Sequence, residues 1–204
     1  DENLILLDDV PLYNVTHLFG FFSVFNADAI KTVNLHKGGF PARFGGRLSS
    51  VMDVHTKDGN DKEIHGAVQI GLLSSKFSLE GPIVKEKTTF FVSARRTYFD
   101  VLSKPFLPKD EQFGYFFWDL NAKVNHKFND RHRLYFSIYS GRDKLGYEYD
   151  DSYGESEYGL GWGNISSALR WNFLIHNKLF MNTTVALSRY KFFTEINDIG
   201  YEKN

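Results

Sequence analysis

Apolar and polar residues alternate along much of this chain, which is the pattern of β-strands with one apolar face. In the longest alternating run, the apolar side consists of Phe116, Trp118, Leu120, Ala122, Val124 and Phe128. The opposite side consists of Tyr115, Asp119, Asn121, Lys123, Asn125 and Lys127. Runs of this kind predict about seven strands after residue 60, if the break in alternation near Leu73 is a turn rather than a bulge.

The connections between these runs alternate in length. Short polar turns are predicted at Val84–Lys87, Asn129–Asp130 and His176–Asn177, and longer loops between them include the polar segment Asp143–Gly161. Short turns at one end and long loops at the other are typical of a transmembrane β-barrel. Seven strands with a lipid-facing side cannot close on themselves, so we expect a larger barrel to which this chain contributes.

The first 60 residues have a different pattern of apolar, polar and glycine positions. Ile30–Leu35 alternates like a strand, and Asn26 is placed to cap a single helical turn before it. The glycine turns Gly38-Gly39 and Gly45-Gly46 then bracket a short loop before a second strand. Paired glycines permit positive φ and close backbone approach, as a tight, buried connection requires. The polar stretch Lys57–Glu63 is the predicted domain boundary.

Composition narrows the function classes. The formal net charge of −1 gives no reason to propose a nucleic-acid partner, and the absence of cysteine excludes disulfides and thiolate metal sites. An aromatic content of 17 % is high for a soluble domain. No apolar run approaches the roughly 18 residues of a spanning helix. The first residues lack a signal-peptide pattern, so we expect either a cytosolic protein or an internal piece of a longer chain.

Several spaced motifs resemble one family. KGG, ARFGGR, LSSVMDV and TK, in this order, resemble the closing segment of the plug domain of TonB-dependent outer-membrane receptors. The stretches HGAVQIGLLSSKFSLEGPI, FFVSARRTYFD, YFFWDLNAKVN and RLYFSIYSGRD resemble the first barrel strands of such receptors, most of all those of Bacteroidetes-type bacteria.

The resemblance implies a mainly β chain, with residues 1–60 forming the C-terminal part of the plug, a small α+β sheet domain. Residues 61–204 would form the N-terminal antiparallel strands of a 22-stranded type of transmembrane barrel. Such receptors lie in the bacterial outer membrane, bind a scarce ligand and import it when TonB pulls. The TonB-contacting segment would precede Asp1. The ligand class stays open among siderophore, haem, vitamin, glycan and peptide, and a SusD-like lipoprotein partner is not indicated.

Two groups of residues are candidates for function. Arg43 and Arg47 flank the plug glycines and could pair with a barrel carboxylate such as Glu80, forming a latch; alternatively, they face a wet lumen and matter little. The second group could gather ligand in an extracellular loop, or could belong to a solvated loop whose rings join an aromatic girdle; the second interpretation is favoured, because binding loops and loops without function share this composition. It comprises Tyr147, Tyr149, Asp150, Asp151, Tyr153, Tyr158 and Trp162.

No catalytic constellation is evident. The histidines are too dispersed for a metal-ligand spacing, there is no nucleophile-elbow motif, and Gly159–Gly163 lacks the context of a nucleotide loop. We therefore expect neither enzyme activity nor a cofactor. The alternative to a receptor is a soluble or surface β-sandwich binding module, in which the apolar faces would pack sheet on sheet.

Overall fold

The computed structural model of the chain describes residues 3–47, 49–108, 111–151 and 154–200. A four-stranded sheet, called the small sheet, has the strand order β2-β1-β6-β5, with β1 and β6 parallel and the other neighbours antiparallel. Its strands are β1 (Asn3–Leu7), β2 (Val10–Pro11), β5 (Ile30–Lys37) and β6 (Ser50–Thr56). Two short strands, β3 (Thr16–His17) and β4 (Phe22–Ser23), pair beside it.

Seven consecutive antiparallel strands form the large sheet, in chain order. They are β7 (His65–Ile70), β8 (Ser74–Val84), β9 (Thr88–Thr97), β10 (Glu111–Lys127), β11 (His132–Asp151), β12 (Gly154–His176) and β13 (Leu179–Gly200). The break in alternation near Leu73 is a turn, closed by Gly71 N donating to Ser74 O at 2.9 Å. The described helices are short, the α-helix running over Phe99–Leu102. The mainly β fold class is confirmed.

The segment before β5 folds as its sequence predicts. The Asn26 side chain accepts a hydrogen bond from Asp28 N at 3.2 Å and caps the 3₁₀ turn Ala27–Ala29. The residue before a helix commonly supplies such an acceptor, because the first backbone N–H groups have no partner inside the helix.

The glycine loop between β5 and β6 is only partly as predicted. Gly38, Gly39 and Gly46 have φ values of 64°, 54° and 80°. The expected buried connection is wrong, because these glycines lie exposed and a Cβ at any of them would meet nothing within 4 Å. Their backbone freedom, rather than close packing, explains the residue type at these turns.

The predicted long loop Asp143–Gly161 is also wrong. Residues 143–151 and 154–161 continue β11 and β12 as paired strands, with Tyr147 directly opposite Tyr158. Alternation of apolar residues marks a strand only where one face is buried or meets lipid. Backbone pairing can extend well past that region, so polar, aromatic strand ends look like a loop in the sequence.

The two faces of the large sheet differ sharply. Residues directly opposite each other on paired strands share a face. The inner face, which meets the small sheet, carries polar residues such as Asn121 and Lys123, the latter only 3 % exposed. The outer face carries apolar residues such as Phe136 and Leu169, which are 46 % and 43 % exposed. The polar face of the large sheet is therefore covered by the small sheet, and its apolar face is exposed.

The short connections 85–87, 128–131 and 177–178 lie at one end of the large sheet, called the turn end; the other end, with the β11–β12 hairpin, is called the hairpin end. At the turn end, outer-face rings stack: Trp171 on Phe173 with centroids 5.5 Å apart, and His132 on Phe173 at 4.2 Å. Among the described residues, no helix is long and apolar enough to cross a membrane.

Candidate functional site: the polar interface between the sheets

Near the hairpin end, buried charged groups join the inner face of the large sheet to residues 3–58, called the small-sheet segment. His17 in β3 lies with Nδ1 2.6 Å from Asp143 Oδ2 and Nε2 3.6 Å from Asp119 Oδ2. Arg95 donates through Nε to Asp119 Oδ2 at 2.7 Å and through Nη2 to the Ser23 carbonyl oxygen at 2.7 Å. These five residues, called the histidine cluster, hold two carboxylates between two cationic groups.

The environment of His17 favours its charged form. Burial by itself would lower its pKa, but the hydrogen bonds and negative charges of Asp119 and Asp143 outweigh burial, so the pKa is raised. The imidazole also stacks on Phe117, with ring centroids 4.1 Å apart. The cluster is therefore close to charge balance, which is what a desolvated group of ions requires.

The backbone after His17 is strained and is held by the same cluster. Leu18 and Phe19 have φ values of 47° and 53°, the left-handed region that costs non-glycine residues about 1–2 kcal/mol each. Leu18 N donates to the Tyr115 hydroxyl at 2.7 Å and to Asp143 Oδ1 at 3.2 Å. Tyr115 in turn donates to Asp143. The inner face thus fixes a conformation that the segment would not keep alone.

A second buried group, called the lysine cluster, lies nearer the turn end. Lys123 Nζ in β10 is 3.1 Å from Asp8 Oδ1 and 2.9 Å from Asp58 Oδ1, and it donates to the Thr56 carbonyl oxygen at 3.1 Å. Asp8 also accepts from Thr56 N at 3.2 Å. Lys123 of the large sheet therefore pairs with two carboxylates, that of Asp8 before β6 and that of Asp58 after it.

The lysine cluster lowers the pKa of its carboxyl groups. Burial alone would raise the pKa of Asp8, but bonding to His55 and Thr56 and the charge of Lys123 outweigh burial and lower it to about 2. Asp58 is shifted downward for the same kind of reason, with burial opposed by Lys123 and Lys31. His55 bonds to Asp53 and Asp8, which raises its pKa to about 9 against the opposing effect of burial.

Further contacts spread across the interface. Arg170 Nη1 donates to Asp9 Oδ2 at 3.0 Å. Inner-face side chains also donate to backbone carbonyl oxygens of the small-sheet segment, for example Ser188 to Pro11 at 2.6 Å. Such contacts satisfy backbone groups that burial would otherwise leave unpaired.

The residues predicted as a latch are placed elsewhere. Arg43 lies with its side chain 68 % exposed, 4.0 Å from Asp53 and over the Phe44 ring, and Arg47 donates to the Gly46 carbonyl oxygen. Glu80 lies on the inner face opposite His65. Among the described contacts neither arginine reaches Glu80, so the pairing of these residues stays a prediction.

The residues predicted to form a ligand-gathering loop lie in two strands and in different environments. Tyr147, Tyr149 and Tyr158 lie in β11 and β12, whereas Trp162 is buried against Tyr115 and Phe117 on the inner face. Only the backbone of Asp150 and Asp151 is described, and Tyr153 lies outside the described residues.

An apolar pocket of about 270 Å³ lies at the hairpin end, between the strained segment and the wall of the large sheet. It is lined by Leu18, Phe19, Phe22, Leu73, Thr97, Phe99, Phe113, Tyr115 and Leu145. An apolar pocket beside a buried polar cluster is a common arrangement for binding small ligands.

One group of potential metal ligands occurs among the described residues. Ligand atoms of Asp9, Asp53 and His55 lie within 4.8 Å of one another. His55 pairs with Asp53 and Asp8, and Asp9 pairs with Arg170, so each of the three groups has a partner of opposite charge. The group therefore works as an ion-pair network in this geometry.

Sequence reasoning missed the residues that join the two sheets. The alternating pattern places Asp119 and Lys123 on the polar side of β10, but nothing in the sequence shows what that side contacts. The available signal was the presence of two opposite charges inside a strand whose other face is apolar, because a charge within a buried strand requires a partner.

Replacing Lys123 by methionine is expected to destabilise the chain by about 3 kcal/mol, because the buried carboxylate of Asp8 would lose its ammonium partner and keep only His55, while Asp58 would be left with Lys31. The matched control is Lys127→Met, which removes the same charge from the same strand but from an exposed pair with Asp130. Solvent screens that pair, so little loss is expected. Free energies of unfolding measure the difference. Equal losses in the two variants would contradict the role of the lysine cluster.

The small sheet is expected to lose stability as the pH rises from 6.5 to about 9, because His55 bonds to Asp53 and Asp8 within it. The pKa of His55 is raised from 6.5 to about 9, so its contribution is complete below 6.5 and is lost through about 9. The pKa of Asp8 is lowered from 3.8 to about 2, so its contribution is complete above 3.8 and is lost through about 2. His17, with a raised pKa, adds to the alkaline loss.

The measurement is stability against pH for His55→Gln beside the control His65→Gln, whose parent side chain is 55 % exposed. The His55→Gln variant should lose less stability between pH 6.5 and 9 than the parent, and the control should follow the parent. An unchanged slope in His55→Gln would show that this histidine does not stabilise the small sheet through its bonds to Asp53 and Asp8.

Comparisons with known proteins were made for sequence and for structure. No protein-family model matches the chain, and no curated protein matches its sequence. Solved structures similar to it include the siderophore receptor PirA from Acinetobacter baumannii, at 16% identity and TM-score 0.48 over 91% of this chain and 39% of that one. PirA from Pseudomonas aeruginosa is 16% identical, with TM-score 0.46 over 97% of this chain and 44% of that one.

A mutant of the ferric enterobactin receptor PfeA from Pseudomonas aeruginosa is 15% identical, with TM-score 0.47 over 96% of this chain and 38% of that one. The chain thus spans about two-fifths of the length of these receptors.

Proposed function

We propose that the chain is part of a TonB-dependent outer-membrane receptor. Residues 1–60 belong to the plug, and the strands after residue 60 belong to the barrel wall. The observation that carries the proposal is the placement of the two faces of the large sheet. Its polar face is buried against the small sheet, and its apolar face lies outward, as in a barrel wall between lipid and a filled lumen.

The β-sandwich alternative requires the opposite arrangement. In a sandwich, the apolar face would be buried and the charged face would meet water. Here Asp119 and Lys123 are buried on the covered face, whereas Phe136 and Leu169 lie on the open one. A soluble protein with this sheet would expose a contiguous apolar patch and also bury charges, which is unfavourable on both counts.

Strand length and edges support a wall that continues on both sides. β11, β12 and β13 have 20, 23 and 22 residues, more than the roughly 9–11 that cross hydrocarbon when tilted. Their hairpin end would therefore project beyond the membrane. β7 and β13 have no further neighbour among the described residues. Because an open edge is costly in hydrocarbon, other strands of a longer protein would pair with them.

In this account the plug gates the barrel through polar contacts. The histidine and lysine clusters hold the plug to the wall, and TonB would pull through a segment outside this chain. The ligand would reach the plug from the hairpin end, where the apolar pocket suits an apolar or aromatic group of a siderophore, haem or vitamin. The Bacteroidetes-type assignment stays a prediction, and a SusD-like partner is not indicated.

Fractionation and uptake in the producing organism test the proposal together. Peptides of this chain are expected in an outer-membrane band that is heat-modifiable and heavier than 23.6 kDa. Deleting the gene should abolish energised uptake of one labelled ligand, and deleting TonB should give the same loss. A soluble 204-residue product, or a membrane band whose deletion alters no uptake in a panel covering the five ligand classes, would contradict the proposal.

A further inference from the structure

Three basic side chains of the large sheet surround one tyrosine ring on the inner face. Tyr135 in β11 lies directly opposite Arg170 in β12. Its ring centroid is 4.6 Å from the guanidinium carbon of Arg170, 5.2 Å from that of Arg133 and 5.7 Å from Lys123 Nζ. These four residues are called the tyrosine site. Like charges gathered at such distances repel one another, so the site requires anions close to it.

The anions are three aspartates of the small-sheet segment. Asp9 accepts a hydrogen bond from Arg170, while Asp8 and Asp58 pair with Lys123. No carboxylate of the large sheet pairs with a cation of the tyrosine site among the described residues. If the plug separates from the wall, as the proposed gating requires, the tyrosine site therefore loses all of these anions together.

Two donor groups of the tyrosine site are not matched by the plug even at rest. Arg133 donates through Nε to the Asn125 amide oxygen at 2.8 Å, and none of the described ion pairs includes it. Arg170 Nε is buried and has no hydrogen-bond partner in the described part of the chain. Because a buried donor without an acceptor is unfavourable, the site has room for more acceptor atoms than the plug brings to it.

Other inner-face cations are arranged differently. Arg95 pairs with Asp119 of the same sheet, at 2.6 Å between Nη2 and Oδ2, so its charge stays balanced when the plug leaves. Lys76 pairs with Asp28 of the small-sheet segment at 3.4 Å, and the cation directly opposite it is Arg95, which keeps its own carboxylate. Among the described residues, the tyrosine site is thus the place where several cations depend together on the plug for their anions.

Donor groups continue from the tyrosine site toward the turn end. Arg133 also lines a cavity of about 450 Å³ there. Lys127, Arg133, Asn172 and Asn182 lie directly opposite one another in a single row across β10 to β13, and all four line this cavity. Ammonium, guanidinium and amide groups all donate hydrogen bonds to anionic oxygens. An anion that leaves the tyrosine site therefore meets further donors before it reaches the turn end.

We propose that the tyrosine site binds a multivalent anionic ligand during import, and that the plug aspartates occupy the site at rest. This inference rests on the proposed function and narrows the imported ligand to compounds with two or more carboxylates or comparable anionic oxygen groups. Guanidinium groups bind such oxygens in a bidentate manner, and the tyrosine ring packs against both guanidinium groups. The ligand takes the place of the plug carboxylates, so the exchange leaves no wall cation buried without a partner.

The test uses the purified full-length receptor in detergent, with the tricarboxylate tricarballylate as the probe in calorimetric titrations. Asp9→Ala removes the carboxylate from Arg170 and leaves space beside it, so this variant should bind the probe roughly 10-fold more tightly than the parent. The matched control Asp28→Ala removes a carboxylate of the same segment from Lys76 and should bind like the parent. Adding Arg133→Gln to Asp9→Ala should abolish the gain, whereas adding Arg133→Lys should keep the affinity within about threefold of Asp9→Ala.

Further measurements separate this site from other causes. The uncharged triamide of the same acid should bind none of the variants, because it brings no anionic oxygen. Heat-modifiable migration shows that each variant is folded. No gain of binding in Asp9→Ala, or an equal gain in Asp28→Ala, would overturn the proposal, and so would a neutral compound as the ligand whose uptake depends on the gene. Fractionation tests the proposed function separately, because an outer-membrane receptor whose Asp9→Ala variant ignores the tricarboxylate refutes only this inference.

Discussion

The large sheet turns charged and amide side chains toward the small sheet and apolar side chains outward, and the rest of the structure depends on how these two faces are covered. Exposure of the outer face to water is unfavourable, because its rings and aliphatic chains form a contiguous apolar surface. Nor can the inner charges be buried without partners. The small sheet supplies partners for the inner face. In the proposed receptor, lipid covers the outer face.

The contacts between the sheets are of a kind that can separate. A buried ion pair contributes little net stability, because the attraction between its members barely exceeds their loss of hydration. When a pair such as Lys123 and Asp8 separates into water, both groups regain that hydration. An apolar interface of equal area would have no such compensation. Polar contacts therefore suit a plug that must be specifically seated and yet be movable, as the proposed gating requires.

The sequence predicts the strands well because alternation is a local property. The turn at Asn129 and the cap at Asn26 follow from residues next to each other in the chain, whereas the choice between a turn and a bulge near Leu73 is made only by the fold. The sequence cannot show that His17 meets Asp143, because these residues are 126 positions apart. It also misses the hairpin through Tyr147 and Tyr158, since those strand ends carry no regular apolar period. The residues at the interface between the two sheets can therefore be identified only from the fold, whereas the strands of the large sheet can be identified from the sequence.

Site-directed spin labelling of the full receptor in lipid vesicles tests the central claim most directly, and this chain brings no native cysteine to interfere. Neighbouring positions on opposite faces form matched pairs: Phe136 with Ser137, and Leu169 with Ala168. The account predicts that labels at Phe136 and Leu169 collide readily with oxygen dissolved in lipid and rarely with a water-soluble nickel complex, while labels at Ser137 and Ala168 are shielded from both. High nickel accessibility at Phe136 and Leu169 would contradict it.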